Sequence, residues 1–212
     1  MPKINVGVLA SGRGSNLQAI LDASATRRLD ARVVVVISDK QEAQALERAR
    51  QHNILAVYLS PKDYFSRESY DQAIVKMLQE YAVDLVVLAG YMRIISPALI
   101  GPFRNCVINI HPSLLPAFPG LHAQRQALDH GVKVSGATVH FVDEQVDHGP
   151  IIVQATVPVL DTDTEETLSA RILEQEHRIY PLAIQWFAEG RLKIIGRRVM
   201  IEGGVSTSGG GG

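Results

Sequence analysis

The sequence predicts an α/β fold: an open sheet, mostly parallel, with an antiparallel C-terminal part and helices on both faces. Three observations carry this. Short β-branched runs alternate with amphipathic helical patterns up to Ile110, the pattern of right-handed βαβ units. Val33-Val34-Val35-Val36-Ile37 is apolar without alternation, as a strand covered on both faces requires. Beyond Gly136 the order becomes strand, polar loop, strand, which adds antiparallel strands to the sheet. Together these make the sheet Rossmann-like.

Residues 4–10 form the first predicted strand. Ser11-Gly12-Arg13-Gly14-Ser15-Asn16 follows at once, and Leu17, Ile20 and Leu21 open a helix. A strand, a glycine loop and a helix start aim free backbone N–H groups at an anion. Gly12 and Gly14 let the backbone approach closely, Arg13 adds charge, and Ser15 or Asn16 either caps the helix or holds phosphate. The dinucleotide fingerprint needs a third glycine where Leu17 stands, and no Lys-Ser or Lys-Thr pair makes a P-loop. The loop therefore suits a single phosphate, against the competing reading of a glycine turn with an ordinary N-cap. The second strand, 33–37, ends at Ser38-Asp39-Lys40, where Asp39 is expected in a turn or as a helix cap. A helix over 42–52 turns Ala45, Leu46 and Ala49 inward, and 54–59 is a third strand. Ser66 begins a helix with Ile74, Met77, Leu78 and Tyr81 at helical spacing. The fourth strand, 84–89, closes at Gly90-Tyr91-Met92-Arg93, and Ser96-Pro97 starts a short helix.

The fifth strand, 107–110, runs into Asn109-Ile110-His111-Pro112-Ser113-Leu114-Leu115-Pro116. Asn109 and His111 leave the same face of an extended chain, and Ile110 points the other way, toward the core. Pro112 forbids a helix at His111. Ligands of open α/β sheets collect at strand carboxyl ends, so this pair stands where chemistry happens; the plainer reading is a capping Asn and a surface His. Residues 122–130 form a helix stopped by Gly131, 137–142 and 151–157 are strands, and Asp147-His148-Gly149-Pro150 lies in the loop between them. Thr164 opens a long helix whose stripe is Leu168, Ile172, Ile179, Ala183 and Trp186. Glu176 falls inside that stripe. A buried carboxylate must be paired or bind something; the alternative is a carboxylate at the stripe's rim. Pro181 is expected to kink or break this helix near His177. Residues 192–195 and 199–201 read as a hairpin.

The 212 residues suit one domain, 46% are hydrophobic and 20% charged, and a net charge of −1 offers no basic surface for nucleic acid or membrane. The single cysteine, Cys106, excludes an internal disulfide framework and reads as a small buried hydrophobe. No run reaches the ~18 apolar residues of a membrane span, and Met1-Pro2-Lys3 enters a strand without signal-peptide architecture. A cytoplasmic protein is expected. His111, His122, His130 and His140 are scattered and no Cys pair accompanies them, so no metal site is predicted. A histidine beside a loop carboxylate is a general acid–base arrangement, and Asn109 suits an oxyanion donor. Acyl transfer without a metal is favoured.

The 109–116 stretch with Asp147-His148-Gly149-Pro150 resembles the formyltransferases that use 10-formyltetrahydrofolate. Gly12-Arg13-Gly14-Ser15-Asn16 and the helix holding Gln175-Glu176-His177 narrow the resemblance to those acting on phosphoribosylglycinamide in de novo purine biosynthesis. It covers the chain to about Ile195. It implies a single formyltransferase domain over 1–195; past Ile195 it matches nothing, and there 196–202 reads from its pattern as a terminal strand and 203–212 from its low complexity as a flexible Gly/Ser tail. Asn109, His111 and Asp147 would be catalytic. Gly14, Ser15 and Asn16 would bind the substrate phosphate, and Glu176 the glycinamide end or ribose. Met92, Arg93, Ile94 and Ile95, with Asn109, would line the folate pocket. The loop Asp143, Glu144, Gln145, Val146 and Asp147 would close over the pterin, and Arg67 would face the folate's glutamate. Leu173 is apolar where a polar substrate contact is expected. The implied reaction is direct attack of the glycine amine on the formyl carbon through a tetrahedral intermediate. Asn109 and protonated His111 would stabilise it, and Asp147 would hold His111. The partners are the two small molecules, with neither nucleic acid nor membrane and with oligomeric state open.

Two relatives of the core and one unrelated class compete. A 10-formyltetrahydrofolate hydrolase shares the Asn-His-Asp logic but carries an N-terminal regulatory domain, whereas the first strand here starts at Ile4. The formyltransferase of initiator tRNA needs a C-terminal RNA-binding domain, and no basic domain follows Ile195. A non-catalytic nucleotide-binding Rossmann module would want the missing third glycine.

Overall fold

The computed structural model describes residues 4–203; the expectations for residues 1–3 and for the tail beyond Gly203 lie outside them. Among the described residues nine strands form one sheet, ordered β3-β2-β1-β4-β5-β6-β7-β9-β8. Strands β1 (Ile4–Leu9), β2 (Ala31–Ser38), β3 (Leu55–Tyr58), β4 (Leu85–Leu88) and β5 (Val107–His111) are parallel. Strands β6 (Val134–Phe141) and β7 (Ile151–Pro158) extend the sheet antiparallel to β5 and to each other. The hairpin β8 (Leu192–Ile195) and β9 (Arg198–Ile201) closes the edge, with Ile151 facing Arg198 in a parallel pairing.

Alternation along the buried strands divides the core in two. Val8 and Val36 point to one face, where they meet Leu17 of helix α1 (Ser15–Ala25), Leu46 of α2 (Gln44–Gln51) and Ile172, Tyr180 and Trp186 of α6 (Glu165–Ala188). Leu9, Val35 and Ile37 point to the other, against Tyr70, Ile74 and Leu78 of α3 (Arg67–Glu80) and Leu99 of α4 (Pro97–Ile100). Both faces are covered, which is why β2 reads as an unbroken apolar run. Tyr81, placed on the apolar stripe by its spacing, instead caps α3 and is exposed.

Helix α6 corrects an expectation: it runs unbroken through Pro181. Thr164 and Thr167 cap its start reciprocally. Around the proline, Ile179, Tyr180, Ala183 and Ile184 are all buried, and the Tyr180 hydroxyl reaches the carbonyls of Leu88 (2.9 Å) and Ile108 (3.1 Å). Packing of an amphipathic face supplies most helical stability in proteins, and here it outweighs the one hydrogen bond a proline removes. Those bonds also tie α6 to β4 and β5, the strands whose carboxyl ends carry the site. Cys106 is half-buried beside the second core rather than fully inside it, and burial raises its thiol pKa.

Candidate active site

The strand order reverses direction between β1 and β4, the position where α/β sheets open a crevice. Ser11 N–H bonds to the Gly90 carbonyl there at 3.0 Å, joining the two departing loops. Beyond them lies a cavity of about 830 Å³. The glycine loop 11–16, Met92, Ile110, Leu173 and Glu176 contribute to its wall. Ile110 is buried as predicted, yet it faces this cavity as well as the core. Leu173 is likewise apolar wall.

Gly14 is the N-cap of α1, at φ 69°. A Cβ there would come within 2.8 Å of the Ala45 backbone, so only glycine fits. Neither Ser15 nor Asn16 caps the helix: no side chain does. The first N–H groups of α1 are thus unclaimed by a cap, the arrangement that accepts an anion. Asn16 instead donates from Nδ2 to Glu176 Oε2 at 2.7 Å, and its Oδ1 is buried without a hydrogen-bond partner among the described residues. Glu176 is 7% exposed; burial pushes its carboxyl pKa up, partly offset by the Asn16 bond. The stripe position of Glu176 therefore reflects a buried, paired carboxylate. Asp39 is not a cap either. It accepts from Ser11 Oγ at 2.6 Å, and that hydroxyl accepts from Met92 N–H at 2.9 Å, so a buried carboxylate links the glycine loop to the segment after β4.

On the opposite face of β5 the three residues singled out by the sequence converge. His111 Nδ1 is 3.3 Å from Asp147 Oδ2, and Asn109 Nδ2 is 3.5 Å from Asp147 Oδ1. Gly120 N–H donates to Asp147 Oδ2 at 2.7 Å. Asp147 itself sits at φ 51°, a left-handed conformation that aspartate, asparagine and glycine adopt more readily than other residues. His111 is almost wholly buried, and its Nε2 lies 2.8 Å from the Phe118 carbonyl. Both its ring nitrogens face oxygen acceptors.

His140, read as one of several scattered histidines, belongs to this cluster. Its Nδ1 is 2.8 Å from the Phe141 carbonyl and its Nε2 is 3.2 Å from Asn109 Nδ2. Burial pushes its pKa down, and a neutral ring donating from Nδ1 accepts from Asn109 at Nε2. Pairing of β5 with β6 sets Asn109 opposite His140, a contact between strands that spacing along the chain does not reveal. Asp71 was also missed: buried on α3, it accepts from Ser96 N–H at 2.5 Å and fixes the turn after Ile95.

The segments expected to meet folate divide. Met92, Ile94 and Val146 are large apolar side chains left exposed, as a covering ligand would require, whereas Ile95 is buried in the second core. Arg93 lies 5.1 Å above the Tyr70 ring. Arg67 begins α3 and is half-exposed, 3.7 Å from Glu68. Asp143, Glu144 and Gln145 border a smaller cleft of about 280 Å³ with Ile100, Arg104 and Val142. Among the described residues no group of three or more His, Cys, Asp or Glu side chains is placed to hold a metal ion, and no helix is long and apolar enough to cross a membrane.

Comparison with known proteins gives the family. A family profile described as formyl transferase matches residues 4–184. The phosphoribosylglycinamide formyltransferase of Escherichia coli (strain K12) is 49% identical over 200 residues, covering 94% of each chain. The crystal structure of glycinamide ribonucleotide transformylase 1 from Symbiobacterium toebii superimposes with a TM-score of 0.93 at 60% identity, again over 94% of each chain. A formyltetrahydrofolate deformylase from Pseudomonas syringae pv. tomato matches at TM-score 0.86 and 31% identity, over 94% of this chain and 66% of that one. The chain therefore belongs to the formyl transferase family, in its phosphoribosylglycinamide formyltransferase group.

Proposed function

We propose that this enzyme transfers the formyl group of 10-formyltetrahydrofolate to the glycine amine of phosphoribosylglycinamide, a step of purine biosynthesis. The observation that carries the reading is the division of β5: Ile110 faces the phosphate-type cavity while Asn109 and His111, one residue to either side, face Asp147. The acceptor would lie with its phosphate on the uncapped start of α1, at Gly14, Ser15 and Asn16. Its ribose or glycinamide end would meet Glu176 and the unpartnered Asn16 Oδ1. The formyl donor would cover the exposed Met92, Ile94 and Val146, with Arg93 and Arg67 toward its carboxylates and the loop 143–147 across its ring.

The chemistry assigned to the trio follows from its contacts. The amine lone pair forms the new C–N bond, and the carbonyl electrons move onto oxygen. Asn109 offers that oxygen the N–H now spent on its long, 3.5 Å contact with Asp147; its other N–H stays on His140. His111 offers the Nε2–H that the Phe118 carbonyl holds at rest, and the Asp147 carboxylate stabilises the charged ring. The amine's proton passes by water and the His111–Asp147 pair to the departing folate nitrogen as its bond to carbon breaks. Holding the two substrates against one another at the carboxyl end of β5 supplies much of the rate by orientation.

The likeness to a deformylase keeps hydrolysis of the donor as a second reading, since water could take the amine's place. Absorbance of the formyl donor, followed with and without phosphoribosylglycinamide, tests the two. Donor loss that requires the acceptor is expected; equal loss without it would make the enzyme a hydrolase.

A further inference from the structure

The turn between β8 and β9 lies outside the stretch matched by the family profile, yet it grips the loop that carries Asp147. Arg197, in that turn, donates from Nη2 to the His148 carbonyl at 2.6 Å, and its Nη1 is 3.0 Å from His148 Nε2. Nη1 is also 3.2 Å from His148 Nδ1, so it lies over the ring face, and Nδ1, 2.9 Å from Asp143 Oδ2, donates to that carboxylate. The loop's two ends, Asp143 and His148, are thereby linked to each other, and the guanidinium holds the His148 end. Its base is tight for other reasons: Phe141 N–H bonds to the Pro150 carbonyl at 2.9 Å, and a Cβ on Gly149 would run into the Phe141 carbonyl. The hairpin itself is anchored to the sheet where β9 meets β7.

We infer that Arg197 is a positioning residue for formyl transfer: it holds the loop 143–147 so that Asp147, in its left-handed backbone conformation, aims at His111. This rests on the proposed role of Asp147. Two magnitudes separate position from stability. The His148 and Asp143 side chains are 43% and 36% exposed, and even an exposed ion pair would contribute only ~0–1 kcal/mol. Misplacing a catalytic group by an ångström, in contrast, costs up to ~10²-fold in rate. The Arg197 contacts fall on His148, directly after Asp147, where the bond to its carbonyl fixes the His148–Gly149 peptide.

The test uses Arg197→Met in the full chain, with Asp147→Asn as reference. Arg197→Met should lower kcat about tenfold and raise KM for the formyl donor, leave KM for the acceptor unchanged, and shift Tm little. Amides 143–148 should exchange faster with deuterium, and added ethylguanidinium should restore part of the rate. Arg197→Lys, which keeps a donor for the carbonyl alone, should fall between. Wild-type kcat and donor KM in Arg197→Met, beside an inactive Asp147→Asn, would overturn the inference alone. A large loss of Tm with both KM values changed and no rescue would overturn it by assigning Arg197 to folding. Wild-type turnover in Asp147→Asn would instead overturn the reading of the active site.

Discussion

Glu176 on α6 accepts the Asn16 amide of α1 at 2.7 Å, across 160 positions of sequence. The pair closes one side of the cavity with a desolvated carboxylate. Glu176→Gln should weaken binding of phosphoribosylglycinamide about tenfold or more, since a hydrogen bond to a charged group contributes ~1.5–3 kcal/mol. Donor binding should be unaffected. Isothermal titration with each substrate checks this; equal losses for both would count against the assignment.

The same residue predicts a pH dependence of stability. Burial raises the Glu176 pKa in the folded state, so its ionisation penalises folding. The penalty is absent below the ordinary carboxylate range and grows as pH rises through the folded value. Glu176→Gln should therefore raise Tm more at pH 8 than at pH 4. A Tm difference independent of pH would contradict the burial argument.

His140 runs the other way. Its folded pKa is lowered by burial, so the stability of its neutral form is present above the ordinary histidine range and is lost as pH falls through that range toward the folded value. His140→Gln should flatten the fall in Tm between pH 7.5 and 5.5. His140→Leu should in addition cut kcat, because the Asn109 amide then loses the acceptor that fixes its orientation. Unchanged kcat would show that Asn109 is oriented without it.

Gly14→Ala tests the start of α1. A Cβ would strain φ 69° and meet Ala45 at 2.8 Å. A loss of about 1–3 kcal/mol is expected in urea unfolding, with weaker acceptor binding. A stable variant that binds the acceptor normally would remove the phosphate role from this loop.

The parallel half of the sheet was legible because doubly buried strands and stripe-bearing helices leave plain patterns, as at Val33–Ile37 in sequence and in β2. The face shared by Asn109 and His111 followed from strand alternation, and the buried place of Glu176 from helical spacing. What could not be read depended on contacts between distant segments. His140 joins Asn109 only through the β5–β6 register. Asp39 looks like a cap until Ser11 is found beside it. Pro181 breaks an isolated helix but not one whose flanking residues are packed on both sides. Arg197 carries no motif at all.

Asn109 and His111 act, on this account, as one unit on the same oxygen. Each alanine substitution should cost roughly 10²–10³ in kcat. The double variant should lose less than the product of the two, because groups that work together are not additive. Single-turnover rates measure this directly, and full additivity would mean the two residues serve separate steps.

The most direct test is kcat for Asp147→Asn, with substrate dissociation constants measured alongside. Asp147 meets His111 at 3.3 Å and Gly120 N–H at 2.7 Å, and asparagine keeps its shape while removing the charge that supports a protonated ring. The account predicts a fall of about 10²-fold or more in kcat, with acceptor affinity within a few-fold of wild type. Turnover within threefold of wild type would contradict it.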